Sequence, residues 1–440
     1  MRFTALLPLV LLTACSTQPQ PGTTISPADY VQASGIYAAY PGPQQDQLTP
    51  APAGYEAFYI SHYNRHGSRY QPSNDRYQHS LDRLQAGHDE GRLTPFGESL
   101  IPHLQLLCDS CLGHGGQLSS VGAQQLQGIG QRVAQRFPEV FARTIGDSGR
   151  PCYISSRASV VPRCGASAQA FLQGFSGQLQ HPLNLDYSAD SVHMAYIAYD
   201  TPQMRQLGSR DADWQAGYDE YKRTHVDCQP IIGRLFADAT GLDTLQTVID
   251  LYWLVVGMQD IDVLGCSLDG IFTADELRSC WQCVNYRMYI CNANCPQSQG
   301  IPAASASTLL QNIVQGADAA IATDTIAAHF RFGHDSNLLR LLALARIQGA
   351  TAQAEHPSQA WQVWPDYALS PMGANLQLIF YRNADQPVLV KFLHNEGEVL
   401  LDAPVQPVSG PYYQWSDVRT FFLSQLTLQP ADDTVTVHIQ

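Results

Sequence analysis

Positive charge is scarce in this 440-residue chain: 25 Lys and Arg stand against 39 Asp and Glu, for a net charge of −14. Nucleic acids and anionic lipid surfaces call for broad basic faces, so the deficit excludes both as expected partners. It leaves room for a small anion, because a few arginines converging in a cleft dominate the local field whatever surrounds them. Long apolar runs are also missing. Residues 3–12 and 249–258 are the nearest candidates and both are too short to span a bilayer; the second, with Tyr252 and Trp253 inside it, reads as a buried helix. Internal repeats are absent, and no low-complexity block follows the first thirty or so residues.

What the amino terminus does have is Arg2, the apolar residues 3–12 and then Leu12-Thr13-Ala14-Cys15, which resembles a bacterial lipobox. On that reading residues 1–14 are a signal peptide, Cys15 is acylated, and residues 15–29 form a polar tether. Ser16 after the cysteine, where Asp would retain the protein at the inner membrane, favours the outer membrane, on its periplasmic side or at the cell surface. Membrane contact is then expected only through the lipid. A plain secretory peptide with an incidental cysteine is the alternative. Beyond Cys15 lie ten cysteines, an even number in an exported chain, so disulfides are the leading expectation. Cys108 with Cys111, Cys280 with Cys283 and Cys291 with Cys295 form local clusters. The four between 280 and 295 are also compatible with a zinc site, and Cys164 with a small buried filler.

The remaining chain exceeds 400 residues, enough for a large core and more than one domain. A strand over 58–63 runs into the turn Arg65-His66-Gly67-Ser68-Arg69. Val121, Leu126, Ile129, Val133 and Phe137 recur at helical spacing before Pro138. A strand at 152–156 feeds Pro162-Arg163 and a helix over 167–175. Residues 179–300 lose strand alternation and carry the apolar run from Thr244 to Met258, as expected of a mainly helical insertion. A strand at 327–332 then leads to Gly333-His334-Asp335 and a helix over 338–347, with late strands at 376–381 and 388–394. Strands repeatedly followed by helices predict an α/β fold, a mostly parallel sheet flanked by helices, split into 30–178 and 301–440 by the insertion. Ligands of such sheets sit at the carboxyl ends of strands, and three of these ends carry charged residues.

The first is the most specific signal. An RHGxR pattern arises by chance in a chain this long on the order of once in a thousand, given ordinary residue frequencies. Its arginines offer planar forks suited to phosphate oxygens, with a histidine between them. Arg163 alone reads as a solvated loop residue, and Asp335 alone as a helix cap. Together with Gln117-Leu118-Ser119-Ser120-Val121-Gly122, they resemble the two-domain branch of the histidine acid phosphatases, which includes phytases and multiple inositol polyphosphate phosphatases. The likeness extends over roughly residues 30–430, firmest at the motifs. The chain has Ser119 where that family usually has Thr, Gln71 where it often has Pro, and His334-Asp335 where the inositol polyphosphate phosphatases commonly have His-Ala-Glu.

The resemblance implies a phosphoglycerate-mutase-like fold whose helical insertion covers the cleft and sets specificity. It implies that Arg65, Arg69, Arg163 and His334 bind the phosphate of a small anionic ester, that His66 is the nucleophile and that Asp335 is the general acid. No metal or other cofactor is required by this scheme. Phytate is the first substrate it suggests, with a sugar-phosphate or broad-specificity acid phosphatase as the alternative. Phosphoryl transfer between substrates, or capture of phosphate esters without catalysis, are weaker readings.

Overall fold

The computed structural model describes residues 25–43, 45, 47–198 and 200–427. The signal peptide, Cys15 and nearly all of the expected tether lie outside the described residues. Near its expected end, Ser26 already caps a helix, Pro27–Ala33, whose first turn also holds Asp29.

An eight-stranded sheet organises the molecule. Its strands are β1 (Glu56–Arg65), β2 (Tyr153–Ala158), β3 (Asn184–Ser188), β4 (Ile326–Gly333), β5 (Asn375–Asn383), β6 (Gln386–His394), β7 (Gly397–Val399) and β8 (Tyr413–Gln414). They lie in the order β3-β2-β4-β1-β5-β6-β7, with β8 also paired to β6. The first four are mutually parallel, and the late strands are added antiparallel. From Ala57 to Arg65 every residue of β1 is buried, which is why it shows no alternation: it sits mid-sheet with helices on both faces. β3 falls within the stretch expected to be inserted, yet it pairs with β2 as the edge of the main sheet.

Helices Ser120–Arg136 and Pro162–Ser176 cover one face, packing Leu126, Ile129, Val133, Phe171 and Phe175 against Ile60, Phe330 and Phe332. Ser307–Thr323, Asp335–Leu344 and Trp415–Thr427 cover the other, with Leu309, Ile313, Leu338 and Leu342 against Phe380 and Phe392. A further core belongs to the helical layer. There Leu235, Val248, Leu251 and Leu277 from the insertion pack with Tyr77, Leu81, Leu100 and Leu104. The last four come from helices Asp75–Asp89 and Pro95–Cys111, so the first part of the chain contributes to this layer as well.

The ten described cysteines are free thiols, which departs from the expected disulfides. Seven of them are buried and used instead as small apolar fillers. Cys108, Cys111, Cys280 and Cys283 belong to the helical core, Cys152 and Cys164 to the sheet core, and Cys295 to the opposite face. Because Cys295 lies in a different core from Cys280 and Cys283, the four cysteines of 280–295 do not converge as zinc ligands. No helix among the described residues is long and apolar enough to cross a membrane.

Candidate active site

Parallel pairing brings three strand ends to one edge. Arg65, last in β1, lies opposite Gly333, last in β4, and Ala158, last in β2, lies opposite Phe332. The loops leaving these ends carry His66 to Arg69, Arg163 and His334-Asp335, so all six expected site residues meet in one cleft.

His66 is held through its main chain, donating to Gly333 O and accepting from Gly373 N, each at 2.9 Å. Its Nδ1 lies 2.9 Å from the Gly67 carbonyl, which can only accept, so the proton sits on Nδ1 and Nε2 keeps its lone pair. Burial and then the nearby Arg65, Arg69 and Arg163 guanidiniums hold its pKa well below the ordinary histidine value, so the ring is neutral. Arg65 is fully buried. Its Nη1 donates to the carbonyls of Ile36 and Ser370, both at 2.6 Å, and its Nη2 lies 3.3 Å from Asp335 Oδ2. Arg69 donates to Tyr70 O and stands 4.9 Å above the Tyr37 ring. Arg163, second residue of its helix, approaches His334 Nδ1 through Nη2 at 3.4 Å. Nε of each of the three arginines is buried without a hydrogen-bond partner among the described residues, a donor excess that an oxyanion satisfies.

His334 takes its tautomer from its neighbours. Arginine can only donate, so Nδ1 accepts and Nε2 carries the proton toward Ser159 Oγ at 3.3 Å. Burial and Arg163 lower its pKa to about 4, leaving the arginines as the source of positive charge. The ring centroids of His334 and His66 are 5.7 Å apart. Asp335 is not the helix cap that its sequence context also allowed: His334 holds the cap position and Asp335 is the first helical residue. Its Oδ1 accepts from Ser336 N at 2.7 Å, while Oδ2 faces Arg65. Burial pushes its pKa up, but Arg65 and His334 outweigh this and hold it below the usual Asp value.

The glycines of the motifs have a packing reason. A Cβ on Gly67 would fall 2.5 Å from Gly122 O, and one on Gly122 would fall 2.1 Å from Ser68 O. Gly67 therefore admits the first turn of helix Ser120–Arg136 rather than chiefly a ligand. Gly122→Ala is expected to cost about 2–3 kcal/mol of stability, since backbone must move to relieve the clash, and to lower kcat by displacing the loop. A urea midpoint and kcat both unchanged from wild type would remove this reading.

Several groups at the site carried no motif. Tyr63 Oη accepts from His334 N at 3.1 Å and donates to His334 O at 3.3 Å, orienting the last loop. Gln71, where the family often has proline, is buried and donates to Trp253 O at 2.6 Å, tying the first loop to the insertion. Asp260, also from the insertion, accepts from Ser68 Oγ at 2.5 Å. The only sequence signal for Tyr63 was its place in the strand before the motif; Asp260 had none. Of the other histidines on these strands, His62 is buried and bonded to Asn64, and His329 is half-buried and bonded to Tyr59.

The family described as histidine phosphatase superfamily (branch 2) matches the chain over residues 64–395, a span that includes all three loops. Among solved structures, the fold is similar to that of the multiple inositol polyphosphate phosphatase of Bifidobacterium longum, crystallised with inositol hexasulfate. The TM-score is 0.71 at 19% identity, covering 92% of this chain and 99% of that one. The phytase of D. castellii gives a TM-score of 0.62 at 16% identity, over 91% of this chain and 86% of that one. The Citrobacter braakii phytase gives 0.52 at 13%, over 84% and 98%. No curated protein sequence matches. Identities this low carry the fold alone, whereas the family match covers most of the chain together with its arginines, histidines and Asp335. The chain belongs to the histidine phosphatase superfamily, branch 2, and is a phosphoric monoester hydrolase.

Proposed function

We propose that the protein hydrolyses inositol polyphosphates such as phytate through a phosphohistidine on His66. The observation that carries this reading is a neutral imidazole with a free Nε2 among the buried Arg65 and Arg69 and the half-buried Arg163. Arg65, Arg69 and Arg163 bind the phosphoryl oxygens and stabilise the charge that builds on them as the ester bond breaks, with the neutral His334 ring holding Arg163 in place. His66 Nε2 attacks phosphorus, the P–O ester bond breaks, and the protonated Asp335 gives its proton to the leaving alkoxide. Water then loses a proton to the Asp335 carboxylate and attacks phosphorus, releasing inorganic phosphate and neutral His66.

In the empty site Arg65 keeps Asp335 ionised, so the acid must be generated on binding. An ester dianion seated on Arg65 competes for that guanidinium and raises the Asp335 pKa, which loads the proton when it is needed.

A polyphosphorylated substrate is supported by the space beyond Asp335. A cavity of about 380 Å³ starts at Asp335 and Ser336 and extends between Arg205, Arg287 and Arg340. Arg340 is already paired with Asp200 at 2.6 Å. Among the described residues, the exposed Arg287 makes no ion pair and Arg205 bonds only the Asp200 carbonyl. Two guanidiniums are thus available to further phosphates of one substrate. The alternative is a sugar-phosphate or broad-specificity acid phosphatase. The leader sequence supports export and acylation at Cys15, which would put the enzyme at the outer membrane, where organic phosphate is scavenged.

A panel of phytate, glucose 1-phosphate, phosphotyrosine and p-nitrophenyl phosphate tests the substrate. Phytate is expected to have the highest kcat/KM. Arg205→Ala with Arg287→Ala should raise KM for phytate about tenfold or more while leaving p-nitrophenyl phosphate unaffected. A flat ranking, or equal losses on both esters, would favour the broad-specificity alternative.

A further inference from the structure

Ser68, the variable position of the RHGxR loop, has every polar group held. Its N–H donates to Gln125 Oε1 at 2.9 Å, and its carbonyl accepts from Ser119 N and Ser119 Oγ, both at 3.0 Å. Its hydroxyl accepts from Gln125 Nε2 at 2.9 Å and donates to Asp260 at 2.5 Å. Gln125 and Ser119 belong to the sheet-packed helix and its cap. Asp260 comes from the other side, on the 3₁₀ turn Met258–Asp260 that ends the insertion's apolar helix Thr244–Gly257.

Asp260 is an unusual group to bury there. It is 0% exposed, and its second oxygen has no hydrogen-bond partner among the described residues. The charged and titratable groups that face it are Arg65 at the end of β1, Arg69 in the loop, and Tyr30 on helix Pro27–Ala33. Burying a carboxylate without a bidentate partner is costly, and the two nearby guanidiniums are what make it tolerable. The same two guanidiniums bind the phosphoryl group in the mechanism above.

We propose that Asp260 is a positioning residue: it fixes the RHGSR loop through Ser68 and supplies the negative charge that offsets Arg65 and Arg69 until a phosphoryl anion replaces it. This rests on the assignment of those arginines to phosphate binding. The insertion thereby does more than cover the cleft, since its end is bonded to the loop that carries the nucleophile. Burial also raises the Asp260 pKa to about 7, opposed by the Ser68 hydrogen bond and by Arg69 and Arg65. The carboxylate is therefore charged and competes with the anion on the alkaline side. On the acid side it is neutral and competition fades.

Calorimetric titration of the full-length protein with inorganic phosphate at about pH 5 and about pH 8 tests this, alongside kcat and KM on p-nitrophenyl phosphate. Asp260→Asn keeps an acceptor for Ser68 but removes the charge, so phosphate should bind about tenfold tighter than to wild type at the higher pH and within twofold at the lower. The titration of phosphate itself cancels in that comparison. Ser68→Ala removes the tie and keeps the carboxylate. It should lower kcat about tenfold at nearly constant KM, without tightening phosphate. Equal phosphate affinity of Asp260→Asn and wild type at about pH 8 overturns the charge role, and an unchanged kcat in Ser68→Ala overturns the positioning role. Should Asp260→Asn fail to fold, Ser68→Ala decides. A wild-type protein that binds no phosphate at either pH instead removes the phosphatase assignment of the arginines.

Discussion

His66→Ala should abolish turnover of every ester while inorganic phosphate still binds. The two outcomes separate because the imidazole contributes a lone pair and little charge: with its pKa far below 6.5 it is neutral in the empty site, and the field that attracts the anion belongs to Arg65, Arg69 and Arg163. Truncating the ring leaves those guanidiniums in place, since Arg65 is anchored by the Ile36 and Ser370 carbonyls and Arg163 by its own helix. What disappears is the atom that bonds to phosphorus. Losing the nucleophile of a two-step transfer lowers kcat by about 10⁴-fold or more. Phosphate release from p-nitrophenyl phosphate measures the rate, and a quench into alkali with a radiolabelled ester traps the acid-labile phosphohistidine on wild type and not on the variant. Residual turnover within tenfold of wild type, or a wild type that never acquires label, would end the covalent mechanism. A wild type that binds esters and turns none over would favour capture without catalysis.

The site was legible because its chemistry is compressed into short patterns. Arg65 to Arg69 and His334-Asp335 each sit where a strand stops, and strand ends of a parallel sheet share an edge, so reading β1 and β4 correctly was enough to bring them together. Arg163 needed the same step through β2. The residues that were missed act from a distance or through the main chain. Asp260 follows an apolar helix with no motif around it, and its meaning comes only from a contact to Ser68 across 192 residues of chain. Gln71 looked like a lapse from the family pattern, yet its side chain reaches Trp253 O where a proline has nothing to offer. Helices Asp75–Asp89 and Pro95–Cys111 went unread for local reasons. The first buries Tyr77, Leu81 and Leu84 among mostly polar neighbours, and the second carries Pro102 inside it. The cysteines were read by count and compartment, whereas the structure uses them by size.

Asp335→Asn should divide substrates by their leaving groups. An inositol or other alkyl alkoxide leaves poorly without a proton, so kcat on phytate is expected to fall by about 10²–10⁴-fold, within the usual range for loss of a general acid. The phenolate of p-nitrophenyl phosphate leaves without help, so its first turnover, read as a burst of phenolate, should survive. Its steady-state rate should still fall, because the same carboxylate activates the water that clears the phosphohistidine. The pH profile carries a second mark of the residue. Turnover needs His66 neutral and Asp335 protonated. The first condition fails only at pH values well under 6.5, and the second fails as pH rises through the Asp335 pKa. In the free enzyme Arg65 and His334 hold that pKa below the usual Asp value against the effect of burial, so kcat/KM should decline from a low pH upward. In the complex the ester dianion occupies Arg65 and the pKa rises, so the alkaline limb of kcat should lie at higher pH than that of kcat/KM. Asn cannot titrate, and the variant should lose this alkaline limb on phytate. Rates over about pH 3 to about pH 8 check both marks: equal losses on the two esters, or an alkaline limb unmoved by the substitution, would mean that the proton comes from elsewhere.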